Sequence, residues 1–352
     1  MLPRERVHAA LRHERTDRIP FELGFVPAVL QEFKKRTGAT SPEEYFQLDM
    51  RTAHLGPSNQ VHDYQKYYSE DISGLWLDEF GVAHRPGGYY HFTKMLHPLA
   101  GAQDPAEILA YPFPDSDAPY RMAHLEAQVQ DYHRRDLFVS AFVGHIFETA
   151  WYLRGMENLL MDFYLNQDLA SALLDRITEL NASLARGFAQ AGVDMVRLGD
   201  DVGSQRALLM SQETWRKWLK PRMAKVIAAA KEVNREVHIW YHSDGVIGPI
   251  LDDLVEIGVN VLNPVQPECM DPLDLRRRYG KKLAFWGTVG TQTIMPFGTP
   301  EEVFAYVTDR IRTLGKEGGL VLAPTHVLEP DVPWENITAF VAAARQEVRK
   351  VV

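Results

Sequence analysis

The chain carries one cysteine, Cys269, in 352 residues. That excludes an intrachain disulfide and any thiolate-rich zinc cluster, which needs several sulfur ligands. Positive charge is not in excess either: 38 Lys and Arg stand against 47 Asp and Glu, for a net charge of -9. A nucleic-acid partner, which calls for a clustered basic face, is therefore not expected. No apolar run approaches the length of a membrane span, and the charged opening Met1 to Arg18 holds no signal-peptide core. No membrane contact and a cytoplasmic location are the expectation. Low-complexity tracts, short-period repeats and dividing linkers are missing as well, which leaves residues 1–352 as one expected domain.

What the chain does have is a repeated pattern. Short apolar runs occur at Leu137 to Val143, Met195 to Leu198, Val237 to Tyr241, Val259 to Leu262, Lys282 to Trp286 and Gly319 to Ala323. Each has the composition of a strand buried on both faces of a parallel sheet. Each ends in a polar cluster: Gly144-His145 with Glu148, Gly199-Asp200-Asp201, His242-Ser243-Asp244-Gly245, Asn263-Pro264-Val265-Gln266, Gly287-Thr288 with Gln292, and Pro324-Thr325-His326. Helical periodicity fills the intervals, as at Glu157 to Phe188, where a break near Asn166 predicts two helices, and at Ser211 to Val233. The alternation predicts an α/β fold, a (β/α)8 TIM-type barrel whose strand C-termini converge on one site. Near the N-terminus the chain adds a helix over Pro3 to His13, a strand over Ile19 to Phe25 and a β-hairpin over Leu75 to Phe92. Trp76, Tyr89, Tyr90 and Phe92 on that hairpin are candidates for a pocket wall.

The strongest chemical set is His242, Asp244 and His326. Histidine and aspartate two positions apart past a strand end both reach the barrel mouth if the backbone bends, and Gly245 eases that bend. Two imidazoles and one carboxylate suit a divalent metal with open coordination positions. The same trio also serves without metal, a histidine acting as acid or base and Asp244 fixing its tautomer. Asp200 and Asp201 are adjacent and point apart, so one faces the site while the other caps a loop or meets an arginine such as Arg206. Glu148 is a further catalytic candidate, with Arg154 as its possible ion-pair partner. Gln266 and Gln292 suit ligand orientation, since amides do not titrate. Trp151, Trp286 and Arg154 join them as substrate-contact candidates, and Cys269 reads as a loop or core residue.

Several strings resemble the uroporphyrinogen decarboxylase superfamily, which includes corrinoid-linked methyltransferases. They are His13-Glu14-Arg15-Thr16-Asp17-Arg18-Ile19-Pro20, Gly199 to Gln205, Asn263-Pro264-Val265-Gln266, and Phe285 to Gln292 running into Pro296 to Val303. Their order along the chain carries the resemblance, which implies one barrel with its site at the strand C-terminal mouth. His326, followed by Pro330, Pro333 and Glu335, looks like the late histidine of the decarboxylases. Their N-terminal arginine motif is not matched, for Phe21-Glu22-Leu23-Gly24-Phe25 holds no arginine, so a porphyrinogen polycarboxylate lacks its counter-charges. The methyltransferase branch binds zinc through a His-x-Cys pair and a later Cys. The matching positions here are His242, Asp244 and, approximately, His326, a harder donor set.

The resemblance implies a one-carbon transferase or demethylase. Its expected donor is a small methylated or methoxylated compound, its metal is divalent, zinc first, and its methyl carrier is a corrinoid or tetrahydrofolate. His326, Asp200, Asp201 and Glu148 are the expected catalytic residues, with a corrinoid protein as partner and a homodimer as the assembly. Two alternatives follow from the same resemblance: a metal-free decarboxylase of a small carboxylated substrate with His326 as proton donor, and a non-catalytic binding subunit of a corrinoid complex.

Overall fold

A computed structural model describes residues 1–86 and 93–351. The barrel sheet consists of β1 (Met50–Ala53), β5 (Phe138–His145), β6 (Met195–Gly199), β7 (His238–His242), β8 (Val261–Asn263), β9 (Ala284–Val289) and β10 (Leu320–Pro324), neighbours in that order. Every pairing is parallel, with helices filling the connections, so the strand C-termini share one face. The six apolar runs correspond to β5 through β10. The interrupted periodicity after Glu157 resolves into helices Met156–Leu165 and Gln167–Gln190. The single helix expected over Ser211 to Val233 breaks at Leu219 into Gln212–Trp218 and Lys220–Lys231; Pro221, without an N–H, is suited only to the first turn of a new helix.

The eighth stave is the segment around Ile19 to Phe25, expected as a strand. It makes only two isolated parallel bridges to the β10 side, Phe21 with Leu322 and Phe25 with Leu328. Leu322 N donates to Pro20 O and Glu22 N to Leu322 O, both at 2.9 Å. Pro20 has no N–H to give, which interrupts the ladder. Beside it, Arg6 and Arg18 each place a guanidinium nitrogen 2.8 Å from the buried Asp49, just before β1. Side-chain charge thus helps hold this seam.

Helix α1 (Pro3–Leu11) plugs the other end of the barrel. Its Val7 and Leu11 join Met50, Phe138, Met195, Val261, Ala284 and Val321 in an interior core distinct from the apolar layer between sheet and helices. The plug is tied to Asp194, just ahead of β6. The Asp194 carboxylate takes bonds from Arg4 at 2.8 Å, His133 at 3.1 Å, His8 at 3.2 Å and the Val139 amide at 2.8 Å. The hairpin of β2 (Trp76–Leu77) and β3 (Ala83–Pro86) is present, and β4 (Thr93–Leu96) pairs with β3 to make a small antiparallel sheet. Trp76, a candidate for a pocket wall, is 63% exposed and lies over His84. Tyr89, Tyr90 and Phe92 lie outside the described residues. No helix among the described residues is long and apolar enough to cross a membrane.

Burial opposes charge on Asp194, but its His133, His8, Arg4 and Val139 donors outweigh that and hold the carboxyl far below the usual range. A depressed folded-state pKa gives stability that is present above the unfolded value, about 4, and is lost as pH falls below it. Asp194→Asn should cost about 3 kcal/mol at neutral pH, as expected when one partner leaves a buried ionic cluster. It should also remove part of the acid sensitivity of the wild type, which urea unfolding at neutral and acidic pH will show.

Candidate active site

The C-terminal ends of the strands open into a cavity of about 320 Å³ whose walls include Phe142, His145, Trp240, His242, Thr325 and His326. Period-two alternation along β7 points Trp240 and His242 into the same space, their rings stacked at 11°. His242 Nδ1 lies 2.6 Å from Asn263 Oδ1, and Asn263 Nδ2 donates to Trp286 O at 2.9 Å. The second bond fixes the amide, so Asn263 presents an acceptor and His242 Nδ1 carries the hydrogen. Nε2 is left with its lone pair, 3.4 Å from Asp201 Oδ1. Two lone pairs facing at that distance repel unless a cation, a proton or a metal ion, stands between them. Asp244 completes the group: its amide donates to Asp201 Oδ1 at 2.7 Å, and ligand atoms of Asp201, His242 and Asp244 all lie within 4.8 Å of one another. Burial, reinforced by the like charge of Asp201, raises the Asp244 carboxyl, while His242 and His326 work against the rise.

The turn after β7 is built for this approach. Gly245 sits at φ +79°, and a Cβ there would come within 2.5 Å of Ser204 O, so any other residue would separate the loops after β6 and β7. Buried Gln266 accepts the Gly245 amide at 3.1 Å and holds the turn from the next strand end.

A second group lies beside the first. A register shift in β5 between Phe142 and His145 re-aims the strand end, and His145 Nδ1 comes 2.8 Å from Glu148 Oε2. Burial opposes the charged imidazole, but Glu148 outweighs it and raises the His145 pKa. Glu148 Oε2 also accepts the Asp201 amide at 2.9 Å, and Oε1 accepts the Tyr152 hydroxyl at 2.8 Å. Against the cost of burial, these partners hold the Glu148 carboxyl below its ordinary value. Asp200 is wholly buried; its Oδ1 accepts the amides of Ile146 at 2.9 Å and Glu148 at 3.0 Å, capping helix Phe147–Arg154. Burial pushes this carboxyl up to about 8. The two aspartates therefore do point apart, Asp200 inward to the helix end and Asp201 toward His242.

The third feature was not foreseen. Arg197 of β6 reaches the cavity with its guanidinium 5.2 Å from the Trp240 ring centroid and 4.8 Å from that of Trp286. It pairs with Glu22 Oε1 at 2.7 Å, while Trp286 Nε1 donates to Glu22 Oε2 at 2.7 Å. Arginine between two indole faces, closed by a carboxylate, is a rigid ionic plate at the cavity floor. The signal was in the text: Met195, Arg197 and Gly199 alternate on the face that meets the barrel interior.

Of the other predicted residues, His326 lines the same cavity, but it is not in the close Asp201, His242 and Asp244 set. Trp286 is fully buried in the barrel interior. Trp151 packs edge-on against Tyr152 behind Glu148. Gln292 is exposed on the turn after β9, away from the cavity walls. Cys269 lies 3.3 Å from Gln205 Oε1. Arg154 is the clear departure. It does not pair with Glu148; it is buried against Asp162 at 2.8 Å and donates to the carbonyls of Leu99 and Ala100. Six residues is too long a step for a helix-face ion pair, which forms at three or four.

The family model described as "Uroporphyrinogen decarboxylase (URO-D)" matches residues 2–347. The chain is 30% identical over 180 residues to the methylcobamide:CoM methyltransferase MtaA of Methanosarcina barkeri, a stretch that spans 50% of this chain and 48% of that protein, about half its length. It is 24% identical over 294 residues to uroporphyrinogen decarboxylase of Synechocystis, covering 75% of this chain and 80% of that protein. A solved structure of a methyltransferase from Methanosarcina mazei superposes with a TM-score of 0.68 over 98% of both chains, at 20% identity.

Because the Arg154 and Asp162 pair is buried and outside the cavity, Arg154→Ala should lower stability by about 3–5 kcal/mol. Ligand affinity of the folded fraction should stay unchanged; chemical unfolding beside a binding titration checks both.

Proposed function

Since the chain belongs to the uroporphyrinogen decarboxylase family, we propose that it is a methyltransferase. It takes a methyl group from a small methylated or methoxylated compound to a corrinoid or tetrahydrofolate carrier, with a divalent ion held by Asp201, His242 and Asp244. The observation that carries this reading is the convergence of one imidazole nitrogen with two carboxylates, the nitrogen's lone pair directed by Asn263. Second-side hydrogen bonding of that kind is what orients a metal-binding histidine. One nitrogen and two oxygens form a harder set than thiolates and fit zinc, manganese or iron. The similarity to methylcobamide:CoM methyltransferases supports the transfer chemistry and the corrinoid partner.

A bound ion supplies Lewis acidity toward a substrate oxygen. The protein's own groups do the rest. His242 and Asp244 are held by Asn263 and Gln266 through neighbouring strand ends, so the donors need little reorganisation. His326 and His145 face the cavity as proton carriers, and Glu148 orients the His145 ring. Phe142 and Trp240 bound the space with apolar surface that limits water. Decarboxylation of a polycarboxylate is disfavoured, because Arg197, the one guanidinium lining the cavity among the described residues, is already committed to Glu22.

Protein purified without chelator should contain about one divalent ion per chain, lost in His242→Ala and in Asp244→Ala while Arg154→Ala retains it; elemental analysis reads this directly. Incubation with methylated or methoxylated donors and reduced corrinoid should methylate the corrinoid, followed by its absorbance. Release of carbon dioxide from carboxylated compounds with no corrinoid methylation would overturn the reading.

A further inference from the structure

At the end of the barrel opposite the active site, the chain carries a concentration of positive charge at odds with its net charge of -9. A cleft of about 860 Å³ is bordered by Arg12 at the end of α1, by Arg276, Arg277 and Arg278 of helix Pro272–Tyr279, by Lys281 and Lys282 before β9, and by Arg312 and Lys316 before β10. The cations come from three separate elements and surround a concavity.

Their partners leave most of that charge unspent. Arg277 and Arg278 share the single carboxylate of Asp274 at 3.2 and 3.7 Å, and Arg312 meets Asp309 at 2.7 Å. Arg276 is half-buried and anchored on the carbonyls of Gly318 and Gly319, so its guanidinium is fixed in the wall. Lys281, Lys282, Lys316 and Arg12 have no ion-pair partner among the described residues. The one acid among the residues lining the cleft, Glu317, is held from outside by Arg15 with two bonds at 2.9 and 2.7 Å, so its single charge is shared with a cation beyond the cleft. Beside Arg276, burial first and the guanidinium second keep the His13 ring toward its neutral form.

We propose that this cleft binds a small polyphosphorylated anion. Its volume is in the range of small-molecule sites, and the cations close around a hollow where a nucleic-acid face would present a stripe over a broad surface. A chain of linked phosphates matches both the charge density and the mixture of fixed arginine and mobile lysine donors. The shared chemistry is the phosphate chain, whether free or carried by a nucleoside.

Isothermal titration of the full chain with inorganic triphosphate tests this, after chelator treatment so that no ion at the opposite mouth captures the anion. One saturable site per chain is expected, weakening as salt rises. The surface double variant Lys281→Glu with Arg312→Glu should weaken binding by about tenfold or more, since it turns attraction into repulsion across the cleft. His242→Ala at the mouth should leave it unchanged. A nucleoside triphosphate binding more tightly than triphosphate identifies a nucleotide ligand; equal affinity identifies the free polyphosphate. Absence of saturable binding, or binding that survives the double variant or falls with His242→Ala, overturns the proposal.

Discussion

Parallel strand pairing is the constraint on which the rest depends. The barrel ladder β1-β5-β6-β7-β8-β9-β10 runs in one direction throughout, so residues separated by most of the chain arrive at one rim. His145, Asp201, His242 and His326 owe their proximity to that register, and no local motif could bring them together. The rim is then refined by short bonds between adjacent strand ends: Gly245 to Gln266, Asp244 to Asp201, and Asn263 to both His242 and Trp286.

Two separate cores support this arrangement. The outer one joins helices to the sheet, while the inner one fills the barrel from α1 up to Trp240, where apolar side chains give way to Arg197 and Glu22. The transition from hydrocarbon to charge along the barrel axis sets the floor of the cavity. A partly buried arginine is costly unless desolvation is offset, and here two indole faces and a carboxylate do so together.

Most of the fold was legible because strands buried on both sides leave continuous apolar runs. β1 escaped, since Met50-Arg51-Thr52-Ala53 is short and mixed, and the seam at Pro20 reads as a strand although it can donate fewer bonds. Candidate site residues were legible where they followed a strand, as His242, Asp244 and Asp201 do; Gln266, expected to orient a ligand, instead accepts the Gly245 amide. Partners were harder. The His145 and Glu148 pair sits at a spacing of three and is readable, whereas the possible pairing of Arg154 with Glu148 spans six residues, a distance helices do not bridge. The Glu22 and Arg197 pair is not legible, because nothing in one dimension shows that residues 175 apart will meet at Trp286.

Glu22 belongs to the stave with the fewest backbone bonds, yet it receives both Arg197 and Trp286 from the cavity floor. The same three side chains therefore close the barrel and shape the chamber. Evolution and engineering meet a shared design variable here: a change that enlarges the chamber by trimming this trio also loosens the seam, so new substrate range and thermal robustness are traded at one spot.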